Sequence, residues 1–415
     1  MPRLPNPQRR SERAQRAILT AAFSLCSEQG YGKLTVEGVA AEAGVGKQTI
    51  YRWWHSKAAV VLDALIYQVG ASLDFPETGD TAADIRSQMQ TVARLMSDPA
   101  IGPAYAGLIA DSQHDPLMAT TLYERLIGPR LQACGERLAI GQAAGQIATG
   151  IDLEIAAELL YGPLYHRLLL GSGPLNRGFI KAIVDLVLVG LRSPAGWSWD
   201  AAAGRPWKAA GLSWEAPAAP LPQAPGPPVP PGPRSRQAIL SAAYELCRTS
   251  GFHALTMDAI AARAGVGKQT LYRWWPSKRE VVLDALLDVM HGESAYPDTG
   301  DIRADLCSRL STLVPLYTSA GFGPIYVGLI ASAQLDIKLA ADLRERLIVP
   351  RMAACQRRLE RAQRQGQIDR SADPQHIVEL LYGAVHHRLL LHGRPLAPGY
   401  VQPMVDLAFA GVAAR

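Results

Sequence analysis

The stretch GVGKQTIYRWWHSK spans residues 44–57 and recurs as GVGKQTLYRWWPSK at residues 265–278, with twelve of the fourteen positions identical. The offset between the copies is 221 residues (265 − 44), and the same offset aligns positions far outside the motif without a gap. It matches Pro129-Arg130 with Pro350-Arg351. The chain of 415 residues is therefore a tandem duplication of a unit of about 190 residues.

The composition is that of a globular protein, with 48% hydrophobic and 19% charged residues. The apolar run at residues 156–170 is broken by His166 and Arg167, so no stretch reaches the roughly 20 residues that a membrane helix needs. The basic N-terminus has no apolar segment behind it and does not resemble a signal peptide. We therefore expect a cytoplasmic protein that has no membrane partner.

The five cysteines include no CxxC pair, which argues against a structural zinc site. Their positions in apolar helical patterns predict buried free thiols at Cys26, Cys134, Cys247 and Cys355. The sequence has no nucleophile elbow, P-loop or HExxH motif, and His386-His387 alone is too little for a metal site. We expect no catalytic residues, no metal and no cofactor, although an enzyme remains the main rival class.

Positive charge is concentrated around the repeated motif. Residues 1–57 hold nine Lys or Arg against four Glu, and residues 234–278 hold seven against two acids, so each segment has a net charge of +5. The whole chain is only +5, so the remainder is net negative. Such a distribution favours two surfaces that bind a polyanion.

Residues 196–233 have the composition of a linker. The segment ends in APAAPLPQAPGPPVPPGP, which favours extended polyproline conformations, and its 38 residues could span on the order of 100 Å. The two units can therefore lie side by side. The first half of the linker contains Trp197, Trp199, Trp207 and Trp214, and large aromatic side chains predict that this half docks on one or both units.

Each unit is predicted to be helical, and the fold class is all-α. Residues 16–30 place their apolar side chains on one helical face and end at a glycine. Thr35 is a good N-cap for a short helix over residues 36–42, which stops at Gly44. A second helix over residues 46–53 then completes a helix-turn-helix.

The second helix carries side chains that suit DNA. Lys47 can donate to guanine, Gln48 can pair with adenine, and Thr49 can contact a thymine methyl. Tyr51 and Lys57 suit phosphates. A solvated helix with a polar face is the alternative, but two identical Lys-Gln-Thr sets within basic segments argue against it.

LTVEGVAAEAGVGKQTIYRWWHSK, residues 34–57, resembles the DNA-binding domain of tetracycline-repressor (TetR) family regulators. YERLIGPRLQA (residues 123–133) and LLYGPLYHRLLLGSGPL (residues 159–175) resemble one subgroup's C-terminal ligand and dimerisation domain. One departure is Gly46, with Gly267, where the family often has a capping Ser or Thr. The resemblance implies DNA contacts by Thr35, Lys47, Gln48, Thr49, Tyr51, Trp54 and Lys57, and by Thr256, Lys268, Gln269, Thr270, Tyr272, Trp275 and Lys278.

The resemblance divides the chain into five parts. These are a helix-turn-helix domain (residues 10–60), a helical ligand and dimerisation domain (61–195), the linker (196–233), a second helix-turn-helix domain (234–281) and a second ligand and dimerisation domain (282–415). It places the dimer interface on the last two helices of each unit, at residues 155–170 with 179–191 and residues 376–391 with 400–412.

The implied function is that of a small-molecule-responsive repressor. Because family members bind operators as homodimers, this chain is expected to act as an intrachain pseudo-dimer on double-stranded DNA with two similar half-sites. A homodimer of chains with four readers, an activator, and a nonspecific architectural DNA binder remain alternatives. The effector itself does not follow from the sequence.

The resemblance also implies an effector pocket in each C-terminal domain. Gly102-Pro103 and Gly323-Pro324 are expected to interrupt a helix and open space there. The alternative for the two His-Arg pairs is a hydrogen-bonded pair at the interface between units. The candidate lining residues are Tyr105, Tyr161, His166, Arg167, Tyr326, Tyr382, His387 and Arg388.

Overall fold

The computed structural model describes residues 7–70, 74–192, 233–290, 296–391, 393 and 395–412. The regular structure in these ranges is helical, as predicted. We call residues 7–192 unit 1 and residues 233–412 unit 2. The helices of unit 1 are α1 (Pro7–Gln29), α2 (Val36–Glu42), α3 (Lys47–Tyr51), α4 (Lys57–Val69), α5 (Thr81–Ser97), α6 (Ile101–Ser112), α7 (Pro116–Leu122), α8 (Gly128–Ala143), α9 (Leu153–Leu170) and α10 (Arg177–Arg192).

Unit 2 repeats these elements in the same order. A 3₁₀ turn follows α1 at Tyr31–Lys33, and a π-helical turn joins α7 to α8 at Tyr123–Ile127 and α17 to α18 at Arg344–Ile348. A further 3₁₀ turn, Pro398–Tyr400, precedes the last helix. The helices of unit 2 are α11 (Pro233–Ala254), α12 (Met257–Ala264), α13 (Lys268–Trp274), α14 (Lys278–Val289), α15 (Ile302–Thr318), α16 (Gly323–Ala333), α17 (Ile337–Leu343), α18 (Val349–Arg364), α19 (Pro374–Leu390) and α20 (Val401–Ala410).

The helix-turn-helix forms for the local reasons that the sequence indicates. The Thr35 hydroxyl accepts from the Gly38 amide at 3.1 Å and caps α2. Gly44 then adopts the left-handed conformation at φ 64°, which a glycine tolerates and most residues do not. In unit 2, Thr256 caps α12 in the same way, and Gly265 has φ 66°.

The two Gly-Pro pairs begin helices, and the expectation that they interrupt one is wrong. Gly102 and Gly323 lie in the first turns of α6 and α16. A Cβ on Gly102 would lie 2.2 Å from the Met96 carbonyl oxygen, and one on Gly323 would lie 2.2 Å from that of Tyr317. These glycines therefore permit a tight corner between successive helices, with no room for a side chain at either position.

The units contact each other through their last two helices. Helix α9 packs along α19, and α10 packs on α20. The backbones meet where a Cβ on Gly162 would lie 2.6 Å from the Ala384 amide and one on Gly383 would lie 2.6 Å from the Pro163 amide. Glycine at both positions therefore sets how closely the two units approach.

The described cysteines are unpaired, and Cys26, Cys134, Cys247 and Cys355 are buried, as predicted. The predicted docking of the linker tryptophans falls on residues that lie outside the described ranges. Among the described helices, no single one is long and apolar enough to cross a membrane. One pair, Ile302–Thr318 with Gly323–Ala333, has the length and composition but bends by 84°.

Candidate nucleic-acid interface and effector region

Helix α3 presents the predicted base readers on its outer face. Lys47 and Gln48 are exposed, and Thr49 is half-buried. Ile50, on the opposite face, is fully buried and anchors the helix in the core. The Tyr51 ring is 52% exposed, which leaves its hydroxyl accessible to a phosphate.

Helix α13 has the same arrangement in unit 2. Lys268, Gln269 and Thr270 are exposed, Leu271 is buried, and Tyr272 is 52% exposed. A lysine, an amide and a hydroxyl therefore project from the first turn of both helices. This set offers hydrogen-bond donors and acceptors of the kind that read base edges in a major groove.

The first lysine of each of these helices is paired with an acid on the preceding helix. Lys47 Nζ lies 2.7 Å from Glu37 Oε1, and Lys268 Nζ lies 2.7 Å from Asp258 Oδ1. The hydrogen bond from Lys47 lowers the pKa of Glu37, and the one to Asp258 raises the pKa of Lys268. The sequence analysis missed these partners, although an acid precedes each lysine by ten residues in both copies. Both pairs are solvent-exposed and therefore weak. They orient the lysines, which can still leave their acids to bind DNA.

Trp54 and Trp275 lie in the core, which corrects their prediction as DNA contacts. Each is only 4% exposed. The indole N–H of Trp54 donates to Asp63 Oδ2 at 2.8 Å, and that of Trp275 donates to Asp284 Oδ2 at 2.9 Å. The preceding Trp274 is the exposed member of its pair, at 52%.

Lys57 and Lys278 are engaged with the chain itself. Lys57 Nζ donates to the Tyr31 carbonyl at 3.3 Å and lies 4.6 Å from the centre of the Tyr31 ring. Lys278 Nζ donates to the carbonyls of Phe252, at 3.2 Å, and Leu255, at 2.8 Å. Burial lowers the pKa of Lys278. Both lysines therefore satisfy backbone carbonyls of the preceding turns. A contact with phosphate would have to compete with these hydrogen bonds.

Arg167 and Arg388, predicted as pocket residues, join the two units instead. Arg167 donates to both carboxylate oxygens of Glu379, at 2.8 and 3.0 Å. At the equivalent position, Arg388 Nε lies 2.9 Å from both oxygens of Glu158. Both glutamates are buried, and burial raises the pKa of Glu158 whereas Arg388 opposes that rise. Each unit therefore supplies one arginine and one glutamate to a reciprocal pair of buried ion pairs.

A histidine cluster lies between these ion pairs. His166 Nδ1 is 3.2 Å from His386 Nδ1, and His387 packs edge-on against Tyr165 with ring centres 5.4 Å apart. Burial lowers the pKa of His386 to about 4 and that of His387 to about 3. Burial and the neighbouring His386 also lower the pKa of His166. These imidazoles are therefore neutral near pH 7 and suit an apolar interface.

The four predicted pocket tyrosines are buried. Tyr105 Oη lies 2.7 Å from Tyr165 Oη, and Tyr161 donates to Gln88 at 3.1 Å. In unit 2, Tyr326 Oη lies 2.8 Å from His386 Nε2, and Tyr382 Oη lies 2.9 Å from Tyr296 Oη. The voids beside them are small, about 20 Å³ next to Tyr105 and about 10 Å³ next to Tyr326, Tyr382 and His166. These tyrosines are therefore packed into the core and, in the part of the chain that the structure describes, line no cavity large enough for a ligand.

A larger cleft of about 760 Å³ lies in unit 1 between the end of α4 and α8. Three of its lining residues, Val69, Leu126 and Arg130, also line the small void beside Tyr105. Sequence reasoning missed Arg130, although it stands in the Pro-Arg pair that recurs in unit 2. The cleft is large enough for a small organic ligand.

A chain of polar contacts connects this cleft to the recognition helix. Arg125 lines the cleft and donates to Asp63 Oδ1 at 2.6 Å, while Asp63 Oδ2 accepts from Trp54. Unit 2 repeats these contacts. Arg346 donates to Asp284 Oδ1 at 2.5 Å, and Asp284 Oδ2 accepts from Trp275. In both units a carboxylate on α4 or α14 therefore contacts the C-terminal helical domain on one side and the end of the recognition helix on the other.

Comparison with known families accounts for both halves of each unit. The family described as bacterial regulatory proteins, tetR family, matches residues 18–64 and 239–285. The family described as tetracyclin repressor-like, C-terminal domain, matches residues 75–187 and 296–408. A helix-turn-helix domain followed by a helical domain defines a class of transcriptional regulators. The chain belongs to the TetR family of DNA-binding transcriptional regulators and carries two copies of the family's unit.

Individual relatives match one unit at a time. An uncharacterized helix-turn-helix regulator of Bacillus subtilis, YdeS, is 37% identical over 180 residues, which are 43% of this chain and 90% of the relative. A DNA-binding transcriptional repressor, TetR, of Mycobacteroides abscessus is 30% identical over 45% of this chain and 97% of its own length. A crystal structure of a TetR family transcription regulator is 34% identical over 42% of this chain and 96% of its own, with a TM-score of 0.39.

Proposed function

We propose that one chain binds an operator with two similar half-sites as an intrachain pseudo-dimer, with α3 and α13 as its readers, and that it acts as a repressor that a small molecule releases. The observation that carries this proposal is the reciprocal contact of α9 with α19. Each unit contributes the same arginine and the same glutamate to it. The last two helices of each unit, the expected dimer surfaces, are thereby used within one chain.

Two matching readers support a nearly symmetric operator. Lysine, glutamine and threonine stand at the same places on both helices, and the acids that orient the lysines also match in position and charge. Half-sites read by the same side chains should have the same sequence preference. Because the units are covalently joined, the affinity should not depend on assembly of two chains.

Repression is the action that the Mycobacteroides abscessus relative's name gives for that protein. The cleft and the Arg125–Asp63–Trp54 contacts support release by a ligand, because a ligand in the cleft would touch a residue that is linked to the recognition helix. An activator would use the same contacts with the opposite outcome at a promoter. A reporter gene placed behind the selected operator distinguishes the two.

The experiment that tests the pseudo-dimer is mass determination by light scattering, on the protein alone and on the DNA that it selects from a random pool. We expect one chain of 44.7 kDa per DNA with two half-sites. Two chains per operator would establish the four-reader assembly and overturn the proposal. Binding without an enriched sequence, with strong salt dependence, would instead indicate a nonspecific DNA binder.

Substitution of the two lysines tests the readers. If both read guanine, Lys47→Ala with Lys268→Ala should weaken binding to the selected operator by roughly tenfold or more per contact and relax the preference at those positions. Glu37→Gln with Asp258→Asn is the matched control, because it frees the same lysines and should preserve or raise the affinity. Equal weakening on all DNA sequences would assign the lysines to phosphates.

A further inference from the structure

The inner part of the cleft of unit 1 is lined by a cationic side chain, that of Arg130. Arg130 is half-buried there, with Nη1 3.3 Å from Tyr105 Oη and its guanidinium 5.7 Å from the centre of that ring. Of the three arginines that line the cleft, Arg125 and Arg137 are each paired with an aspartate, whereas no ion pair found among the described residues includes Arg130. Its charge is therefore available to a bound anion.

The other lining residues separate by chemistry. The inner wall is apolar and consists of Ile66, Val69, Phe75 and Leu126. The cleft's carboxylates, Asp74, Glu77 and Glu136, are all solvent-exposed and so lie at the rim. A ligand that fits this arrangement places an anionic group inward on Arg130 and an apolar part along the wall.

Unit 2 differs at the same place. Arg361 on α18 pairs with Asp298 at 2.6 Å, and the buried Arg358 lies 3.5 Å from the same carboxylate. The positions of Arg361 and Asp298 correspond to Ile140 and Glu77, two residues that line the open cleft of unit 1. We call the Arg361–Asp298 pair the latch, because it joins the two sides that the cleft separates in unit 1.

The region around Arg351 in unit 2 also holds larger side chains than the matching region of unit 1. Tyr317 stacks on Tyr326 with ring centres 5.0 Å apart, and Phe322 stacks on Tyr326 at 5.7 Å. Met96 and Ile101 occupy the equivalent positions in unit 1. Arg351, the counterpart of Arg130, is 8% exposed and donates to the Leu347 carbonyl at 2.9 Å. A ligand would have to displace these groups before it reached Arg351.

We propose that the chain has one working effector site, the cleft of unit 1, and that this site takes an amphipathic organic anion whose carboxylate pairs with Arg130. Among the described residues of unit 2, the latch and the stacked aromatic rings occupy the region that corresponds to this cleft. This inference rests on the proposed function, because it gives the class of effector and the unit that senses it.

The same cleft contains the route to DNA. Arg125 lines it and holds Asp63, which in turn holds the indole of Trp54. A ligand held on Arg130 would lie against Arg125 in the same cleft, and a shift of Arg125 would move Asp63 and so favour a different position of α3. The effector therefore first displaces α3 from its half-site. Helix α13 then holds the other half-site alone, and the chain binds the operator more weakly.

Calorimetric titration of the full-length protein tests the site without DNA. The probes are straight-chain carboxylates from butanoate to decanoate, 4-phenylbutyrate, and the alcohols of equal length. We expect one carboxylate per chain, bound at least tenfold more tightly than its alcohol. Two carboxylates per wild-type chain, equal affinity for acid and alcohol, or no binding of any probe would overturn the inference.

Two variants locate the binding. Arg130→Gln should remove the preference for the acid over the alcohol by tenfold or more, whereas Arg357→Gln on the exposed face of α18 should leave it unchanged. Ile140→Arg with Glu77→Asp builds the latch into unit 1 at exposed positions and should reduce carboxylate affinity at least tenfold. Unchanged binding in both variants would place the ligand elsewhere.

A parallel DNA-binding assay separates this inference from the proposed function. Failure of every carboxylate with an intact, sequence-specific DNA complex would overturn the anion site alone. Carboxylate binding by a protein that selects no DNA sequence would instead leave the site standing and overturn the proposed operator binding.

Discussion

Helices α9 and α19 form the same arginine–glutamate ion pair in both directions across the interface, whereas the regions beside α8 and α18 differ. At the interface, Arg167 and Arg388 occupy equivalent positions, and each reaches a glutamate of the other unit. At the clefts, unit 1 has Ile140 and unit 2 has Arg361 in a latch. The two copies thus share the arginine–glutamate ion pairs of the interface and differ at the clefts.

This contrast has a physical reason. A change in one arm of the reciprocal ion pairs leaves a buried charge in the other unit, so the two copies are energetically coupled there. The cleft of unit 1, by contrast, is lined by residues of unit 1. Duplication within one chain therefore permits the clefts to differ while the reciprocal ion pairs are kept.

The largest loss of stability is expected when one arginine of the two ion pairs between the units is replaced. Arg167→Met leaves Glu379 buried without its bidentate partner, and we expect a loss of about 3–5 kcal/mol in the free energy of unfolding. Arg388→Met should cost a similar amount. Urea unfolding measures both, and exposed Arg177→Met is the control, expected within about 0.5 kcal/mol of wild type.

The double variant Arg167→Met with Glu379→Met removes both charges of one arm. It should be more stable than the single arginine variant, because no unpaired charge remains in the interface. If the single variants cost less than about 1 kcal/mol, the two ion pairs are solvated rather than buried.

The next test concerns the backbone contact of α9 with α19. Gly162→Ala places a Cβ 2.6 Å from the Gly383 carbonyl carbon, so we expect a loss of about 1–3 kcal/mol from forced separation of the helices. Gly135→Ala, inside α8 with nothing within 4 Å, is the matched control and should gain about 0.5–1 kcal/mol. Equal effects in thermal unfolding would mean that the crossing tolerates separation.

The local elements of the fold could be predicted from the sequence. The cap at Thr35 and the turn at Gly44 depend only on neighbouring residues, and both were predicted correctly. The inward direction of Trp54 was not, because an aromatic at the end of a short helix can face either the core or DNA, and here Asp63 on the next helix decides.

The site was less predictable where its contacts are remote in sequence. Arg167 and Glu379 are 212 positions apart, and only the packing of α9 on α19 brings them together. The latch also needs the folded structure, because Arg361 and Asp298 differ from their counterparts in unit 1 without any motif that announces a pair.

The buried histidines make the shared core sensitive to acid. Burial lowers the pKa of His387 from 6.5 to about 3, so below pH 6.5 the unfolded chain binds a proton that the folded chain does not. Stability is therefore fully present above pH 6.5 and falls as the pH drops towards 3, by about 1 kcal/mol at pH 5.5 for this one group.

His387→Phe should remove that share of the loss between pH 7.5 and pH 5.5, and unfolding at the two pH values measures it. His386→Tyr introduces the residue that unit 1 has at the equivalent position and should reduce the acid sensitivity in the same direction. An unchanged difference between the two pH values in both variants would contradict the burial of neutral imidazoles.

The last comparison concerns the contact between the DNA-binding and C-terminal domains, which the two units make differently. In unit 1 the buried Tyr31 hydroxyl donates to Asp111 Oδ2 at 2.5 Å. Unit 2 has Phe252 and Ser332 at these positions. It joins α14 to α17 by the Arg279–Asp336 ion pair, at 2.7 Å.

Tyr31→Phe should cost about 1–2 kcal/mol in urea unfolding, because half-buried Asp111 loses a donor that water only partly replaces. Tyr31→Phe with Asp111→Ser reproduces the unit 2 residues and should recover most of that loss. Because a hydrogen bond from a buried phenol is screened less by salt than an exposed ion pair, the cost should persist at high ionic strength. A cost that vanishes in salt would show that Tyr31 stabilises unit 1 no differently from the ion pairs of unit 2.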